Sequence, residues 1–465
     1  MFKRRMAFFS AMVLLLVCLC GCGDTVPQDT ATTTAITTTT TATTEVAGGE
    51  ETTTTATETV TTTTEKQTTT TEKESTTTAE KTTTTTKEAA TTTEKAPVTT
   101  TEKKTTTTEA TTTTTTTKAP TTTTKAEVIT ALKPLSPKEY YGYTLLADEA
   151  ESEKLLYVYN AFVKASEEMA EIVDFESSGY DITPEEIKKV WVYYTLDHPH
   201  HFWLTEGYGI TVLEGGGVVD VSPEYTMSKS ERDRAKAEFD AVVKQLLSNV
   251  SGSWDEYHRE LAVHDILCDL LTYKDVGKPS YNAYGALTGK FSVCEGYAES
   301  FQYLMYQCGI QCLSVFGKAG GGSHKWNIVR INDVYYEVDV TWDDPVVSEG
   351  AAPFVVHSYF NISDAILTQD HNIGENNYPL PHCDSKAENY YKIQGVWMDT
   401  FSEDVIAQQL KTNNVIELYL NKHTPDQFAK WLGEHWGNIL QKAGLTQGGY
   451  SFAVVGKGVR LTLTK

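Results

Sequence analysis

The chain has 465 residues, with 62 Asp and Glu against 39 Lys and Arg, for a formal charge of −23. So acidic a balance makes nucleic acid and anionic membrane surfaces poor partners, and it says little about fold. The part with globular composition, from about residue 130, is long enough for one large or two modest domains.

The N terminus reads as a targeting segment. Lys3, Arg4 and Arg5 form a basic head, and the apolar run from Met6 to Leu19 is too short to span a membrane. Leu19-Cys20-Gly21-Cys22 resembles a bacterial lipobox. The resemblance implies a signal peptide over 1–21, cleavage before Cys22, and a lipid on the Cys22 sulfur. The expected location is then extracellular, on a lipoprotein anchored in the membrane at the surface of a bacterium. An ordinary secretory signal is the alternative; it exports the chain as well and lacks only the anchor. Loss of Lys3, Arg4 and Arg5 takes the charge from −23 to −26.

Residues 22–128 are of low complexity, dominated by threonine and broken by Glu-Lys pairs. No apolar periodicity is present, so nothing offsets the entropy of ordering the segment, and a disordered Thr-rich stalk is expected. Fully extended it would reach roughly 300 Å, enough to carry a domain through a thick wall. A passive spacer is preferred over a binding role. Deleting residues 30–120 is therefore expected to leave the melting temperature of the folded part unchanged. A clear drop in a thermal melt would mean that the stalk packs on the domain.

The folded part opens with an α/β extension over 129–252. Helical periodicity runs from Glu151 to Glu171, and Thr183-Pro184-Glu185-Glu186 announces a second helix with a capping threonine and a proline in its first turn. His198, His200 and His201 follow, but their spacing around Pro199 fits no usual ligand pattern. No metal and no cofactor are expected. Two short strands flank Gly215-Gly216-Gly217, and a long helix occupies about Ser228 to Asn249.

The core spans 253–390. Ser253-Trp254-Asp255-Glu256 suggests a capping box, and the helix behind it carries His264 and Asp265, read as structural because neighbouring helical residues point different ways. Cys294 stands where a 3.6-residue rhythm begins (Tyr297, Ala298, Phe301, Leu304, Met305, Cys308), with Gly309 as the stop. A thiol in a first helical turn feels the positive helix end, which favours the thiolate. Two alternating runs then flank Asn332-Asp333, pairing Ile331 with Val334 in a hairpin. That register sets Trp326 opposite Asp339 and His324 opposite Thr341, and so makes His324 and Asp339 diagonal neighbours on one face. Nucleophile, base and orienting acid together suggest a Cys294–His324–Asp339 triad, against the plainer possibility of a buried thiol and a local ion pair.

These residues resemble the transglutaminase-like superfamily in its bacterial secreted branch. The matches are Val293, Cys294, Gly296, Tyr297, Ala298 and Phe301; His324, Trp326 and Asn327; and Val338 with Asp339 and Thr341 through Pro345. Tyr281 to Lys290 and Tyr359 to His371 are similar to what flanks the core in that branch, and Lys325 departs from it by standing where a small residue is common. The resemblance implies an α+β, papain-like core, with a nucleophile helix packed on an antiparallel sheet, and thiol acyl chemistry. The first oxyanion donor would be the Cys294 backbone N–H, with Asn282 or Tyr284 as the second. Water as acceptor makes a peptidase or deamidase, and a lysine amine makes a crosslinker. Hydrolysis is the default, on a peptide or protein amide such as a wall peptide. A surface module that binds wall peptides or proteins without turnover is the alternative.

Residues 391–465 read as a small α/β unit: a helix from about Glu403, the strand VIELYL, a helix capped by Thr424-Pro425 and a hairpin around Gly456-Lys457-Gly458. A docking role and simple packing onto the core both fit it. Cys268, Cys308, Cys312 and Cys383 are expected as buried thiols, although two disulfides among them are the other arrangement.

Overall fold

The computed structural model describes residues 9–13, 129–346 and 353–464. The expected stalk therefore lies outside the described residues. The helices start where the capping chemistry places them. Thr183 Oγ1 accepts from Glu186 N at 3.2 Å and the Glu186 carboxylate accepts from Thr183 N at 2.9 Å, opening helix Pro184–Asp197. The same reciprocal pair opens Lys229–Leu246 at Ser228 and Pro425–Ala443 at Thr424. The box expected at Ser253 does not form. Asp255 caps the helix instead, accepting from His258 N at 2.9 Å, and the helix runs Glu256–Leu270. Ser253 is held by Ser251, 2.8 Å away.

Among the described residues there are three four-stranded sheets. The central one has the order His371–Ile373, Cys312–Ala319, Gly322–Ile331, Val334–Val338, and every pairing is antiparallel. Asn332 and Asp333 both have positive φ (50° and 65°), the tight turn the hairpin needs, and Ile331 faces Val334 as the sequence predicts. The ladder ends at Asn327↔Val338. Beyond it the chain leaves the sheet: Asp339 Oδ1 accepts from Trp342 N at 3.1 Å and caps the short helix Val340–Asp343. Thr341 is therefore helical and does not face His324.

Helix Cys294–Gln307 ends at Cys308, with Gly309 at φ +76° just beyond. It packs on the central sheet, where Asn327 Nδ2 donates to Ala298 O at 3.0 Å. Its start is a close approach. A Cβ on Gly296 would lie 2.7 Å from Ser280 O, so only glycine fits there.

The second sheet belongs to the N-terminal extension and joins Phe9–Val13, Leu204–Val212, Val218–Tyr225 and Val173–Asp174, in that order. Phe9–Val13, from the stretch expected as a leader, pairs antiparallel with Leu204–Val212. The third sheet (Trp397–Met398, Val415–Leu420, Gly458–Thr464, Gly449–Val455) carries Pro425–Ala443 as its long helix. The segments expected as extension, core and C-terminal unit all fall in one contact unit. No helix among the described residues is long and apolar enough to cross a membrane.

Candidate active site

His324 and Asp339 meet. His324 Nε2 donates to Asp339 Oδ2 at 2.6 Å, with both side chains buried. The diagonal placement on the hairpin brings the imidazole to the carboxylate, and Asp339 Oδ1, tied to Trp342 N, keeps that carboxylate from rotating. A third residue joins them. His371, on the edge strand next to Cys312–Ala319, donates from Nε2 to the same Asp339 oxygen at 3.0 Å and from Nδ1 to Asp370 Oδ1 at 2.7 Å. Both of its nitrogens face carboxylates, so both carry protons. Burial works against that charge, but the bonds to Asp339 and Asp370 hold its pKa up at about 9. Burial likewise works to raise Asp339, yet His324 and His371 keep it well below the usual carboxylate range.

Cys294 is the first residue of its helix, after Val293 at the cap position. It is fully buried but does not belong to the apolar core cluster. The residue beside it meets the residue beside His324: Lys325 Nζ donates to Glu295 Oε1 at 3.4 Å and to Glu299 Oε1 at 3.0 Å. Lys325 and Asn327 use the strand face toward the helix. His324 and Trp326 share the side of the strand on which Asp339 and His371 lie. Cys294 is disulfide-bonded. Four others, Cys268, Cys308, Cys312 and Cys383, are buried free thiols. Burial pushes all of them up, Cys308 to about 12.

No family model matches the chain. Human kyphoscoliosis peptidase is 25% identical over 166 residues, which is 31% of this chain and 25% of the relative. The chain thus spans about a quarter of the length of that curated relative. Among solved structures, a candidate cysteine protease from Cytophaga hutchinsonii superposes over 29% of this chain and 53% of its own, at 12% identity and a TM-score of 0.20. A transglutaminase (TGase) covers 39% of this chain and 53% of its own, at 12% identity and a TM-score of 0.23. Superpositions this loose decide nothing about the fold, which rests on the pairings above.

The side chains expected as oxyanion donors are committed elsewhere. Asn282 caps helix Ala283–Gly289, with Oδ1 accepting from Gly285 N at 2.8 Å and Nδ2 donating to Lys278 O at 3.3 Å. The Tyr284 hydroxyl donates to Glu238 at 2.9 Å and its ring stacks on Phe202. His264 and Asp265 do meet, at 3.1 Å, because Asp265 curls back to accept from His264 Nδ1 and from His357 Nε2. Asp343 and Glu417 take the other nitrogens of the two rings. That network ties the core to the third sheet, the structural role expected of it.

A cavity of about 600 Å³ opens beside the site. Its wall includes Glu206, Glu295, Glu299 and Lys325 but neither Cys294 nor His324. Burial, with Glu295 close by, raises the Glu206 carboxyl to about 7. Sequence reasoning missed His371 and the weight of Lys325. A histidine inside the family-like stretch from Tyr359 to His371 was the available signal for the first. The buried acid partners of Lys325 leave no local pattern.

Proposed function

We propose that this chain is a cysteine-dependent amide hydrolase or acyltransferase of the transglutaminase-like type. Hydrolysis of peptide or protein amides, such as those of a cell wall, is the preferred reaction. The observation that carries the reading is the buried His324–Asp339 pair, on the strand whose next residue is bonded to the residue after Cys294. In the reduced protein the Cys294 thiolate attacks the amide carbonyl, and the tetrahedral oxyanion faces the N–H groups of the first helical turn. His324, held through Nε2 by Asp339, gives its proton to the leaving amine as the C–N bond breaks. Water then attacks the thioester, losing a proton to His324, and the carboxylic acid leaves Cys294 as the thiol. An amine in place of water makes the reaction a transamidation. The peptidase in the human relative's name accords with the same chemistry.

The burial of Cys294 and its disulfide favour a second reading, a wall-binding module that keeps the fold without turnover. Alkylation of the reduced full-length chain separates the two. Cys294 is expected to be labelled selectively near neutral pH because the helix start favours its thiolate, while the four thiols whose pKa burial raises resist. Uniform or absent labelling after reduction would leave only the binding module.

The lipid anchor and the bacterial surface location belong to the same proposal, supported by the lipobox-like run ending at Cys22. Cys22→Ala is expected to move the protein from the membrane fraction to the soluble one. Unchanged partitioning sinks the anchor.

A further inference from the structure

The turn His198–His201 lies between the end of helix Pro184–Asp197 and strand Leu204–Val212. His201 N donates to His198 O at 2.9 Å, which closes the turn and gathers three imidazoles. Their ring centroids are 4.5–5.1 Å apart, and one ligand atom from each lies within 4.8 Å of the other two. The spacing H-x-H-H hides this in the sequence, because the convergence comes from the closed turn.

Hydrogen bonding fixes the His198 tautomer. The Tyr159 hydroxyl donates its one proton to Asp197 Oδ2 at 2.7 Å, so His198 Nε2, 3.1 Å from the Tyr159 hydroxyl oxygen, carries a proton and donates to that hydroxyl. His198 Nδ1 is then a bare lone pair, buried and without a hydrogen-bond partner. His200 Nδ1 is also buried and unpartnered. His201 Nδ1 is oriented by the Tyr194 hydroxyl at 2.8 Å. A buried polar nitrogen left unpaired costs about 1–3 kcal/mol, and two in one short turn call for a shared partner. Arg232 and Lys236 lie close enough to oppose a cation, but Arg232 is engaged by Glu167 O and Asp233.

We propose that His198, His200 and His201 form a site for a divalent transition metal ion of the zinc class, with its fourth position open to the neighbouring cavity. Three neutral imidazoles are a zinc donor set. Tetrahedral zinc at about 2.0–2.1 Å from each nitrogen needs the ligand atoms roughly 3.3 Å apart, so the rings close by about an ångström or more. Tyr159 backed by Asp197, and Tyr194 on His201, orient the rings from outside as partners of ligating histidines do. His198 and His201 line the cavity of about 600 Å³, which gives an entry path. His200 stacks on Tyr303 of the Cys294 helix (centroids 4.7 Å apart), so the metal fastens the N-terminal extension to that helix. The site stands independently of any reaction at Cys294.

The test is titration of chelator-stripped, full-length protein with Co²⁺, read by its visible ligand-field bands, and with Zn²⁺, read by the melting temperature. One equivalent is expected to bind with tetrahedral bands, and Zn²⁺ is expected to raise the melting temperature with its concentration. His200→Ala, at a partly buried position, is expected to weaken binding more than about 100-fold while far-UV circular dichroism stays unchanged, and Tyr159→Phe about 10–100-fold. Asp265→Asn, in the separate His264–Asp265–His357 cluster, is expected to leave binding intact. Absence of binding, binding that survives His200→Ala, thiolate charge-transfer bands, or loss in Asp265→Asn would each overturn the assignment.

Discussion

Cys294→Ala is expected to leave no measurable acyl transfer, and His324→Ala to leave nearly none, on whichever peptide or wall-fragment amide a substrate-profiling screen identifies. The thiolate forms the bond, and the imidazole moves a proton at both acylation and deacylation, so neither has a substitute. Asp339→Asn is expected to cost less, roughly 10²–10⁴-fold in kcat/KM, since it disturbs the tautomer and orientation of His324 without removing the base. The structure adds a reason for a loss toward the upper end. Asp339 Oδ2 serves His324 and His371 together while Oδ1 caps the following helix. An asparagine has one acceptor oxygen for these three donors. The losses are also expected to be non-additive, so that the double variant His324→Ala/Asp339→Asn is no worse than His324→Ala. An active Cys294→Ala protein would end the assignment, whatever the histidine variants did.

The legible part of this architecture was the part written in short range. Caps at Thr183, Ser228 and Thr424 bind backbone within three residues, and the Asn332-Asp333 turn fixes its register from four residues of sequence. The His324–Asp339 contact followed from that register. What failed was the end of the strand: Asp339 prefers capping a helix to staying in the ladder, and Thr341 leaves with it. What stayed hidden needs chain segments far apart. His371 reaches Asp339 from 32 residues on, and the three histidines converge only once the turn at Pro199 closes. A linear pattern carries no trace of the second, and of the first only a histidine at the end of a family-like stretch.

Lys325→Met is expected to be the most destabilising of the surveyed single changes. Lys325 is buried, and Glu295 and Glu299, its two carboxylate partners, are largely buried with it. Removing the cation leaves two acids facing each other out of water, which costs about 3–5 kcal/mol in comparable buried pairs. The chain length of methionine keeps the packing, so the loss is electrostatic and depends on pH. Burial raises the Glu299 pKa from 4.5 to about 6, with Glu295 adding to it and Lys325 working to lower it. The folded state therefore holds that proton more tightly than the unfolded state does. Glu299 costs stability as pH rises from its unfolded value through 6. Without Lys325 the lowering influence is gone, the folded pKa climbs further, and the cost at alkaline pH grows. Denaturant melts are thus expected to show a larger deficit near pH 8 than near pH 5, where Glu299 takes up a proton and the repulsion fades. Adding Glu295→Gln and Glu299→Gln to Lys325→Met is expected to restore much of the stability, since an uncharged cluster needs no cation. A deficit independent of pH, or one the glutamine pair does not relieve, would show that Lys325 acts through packing alone.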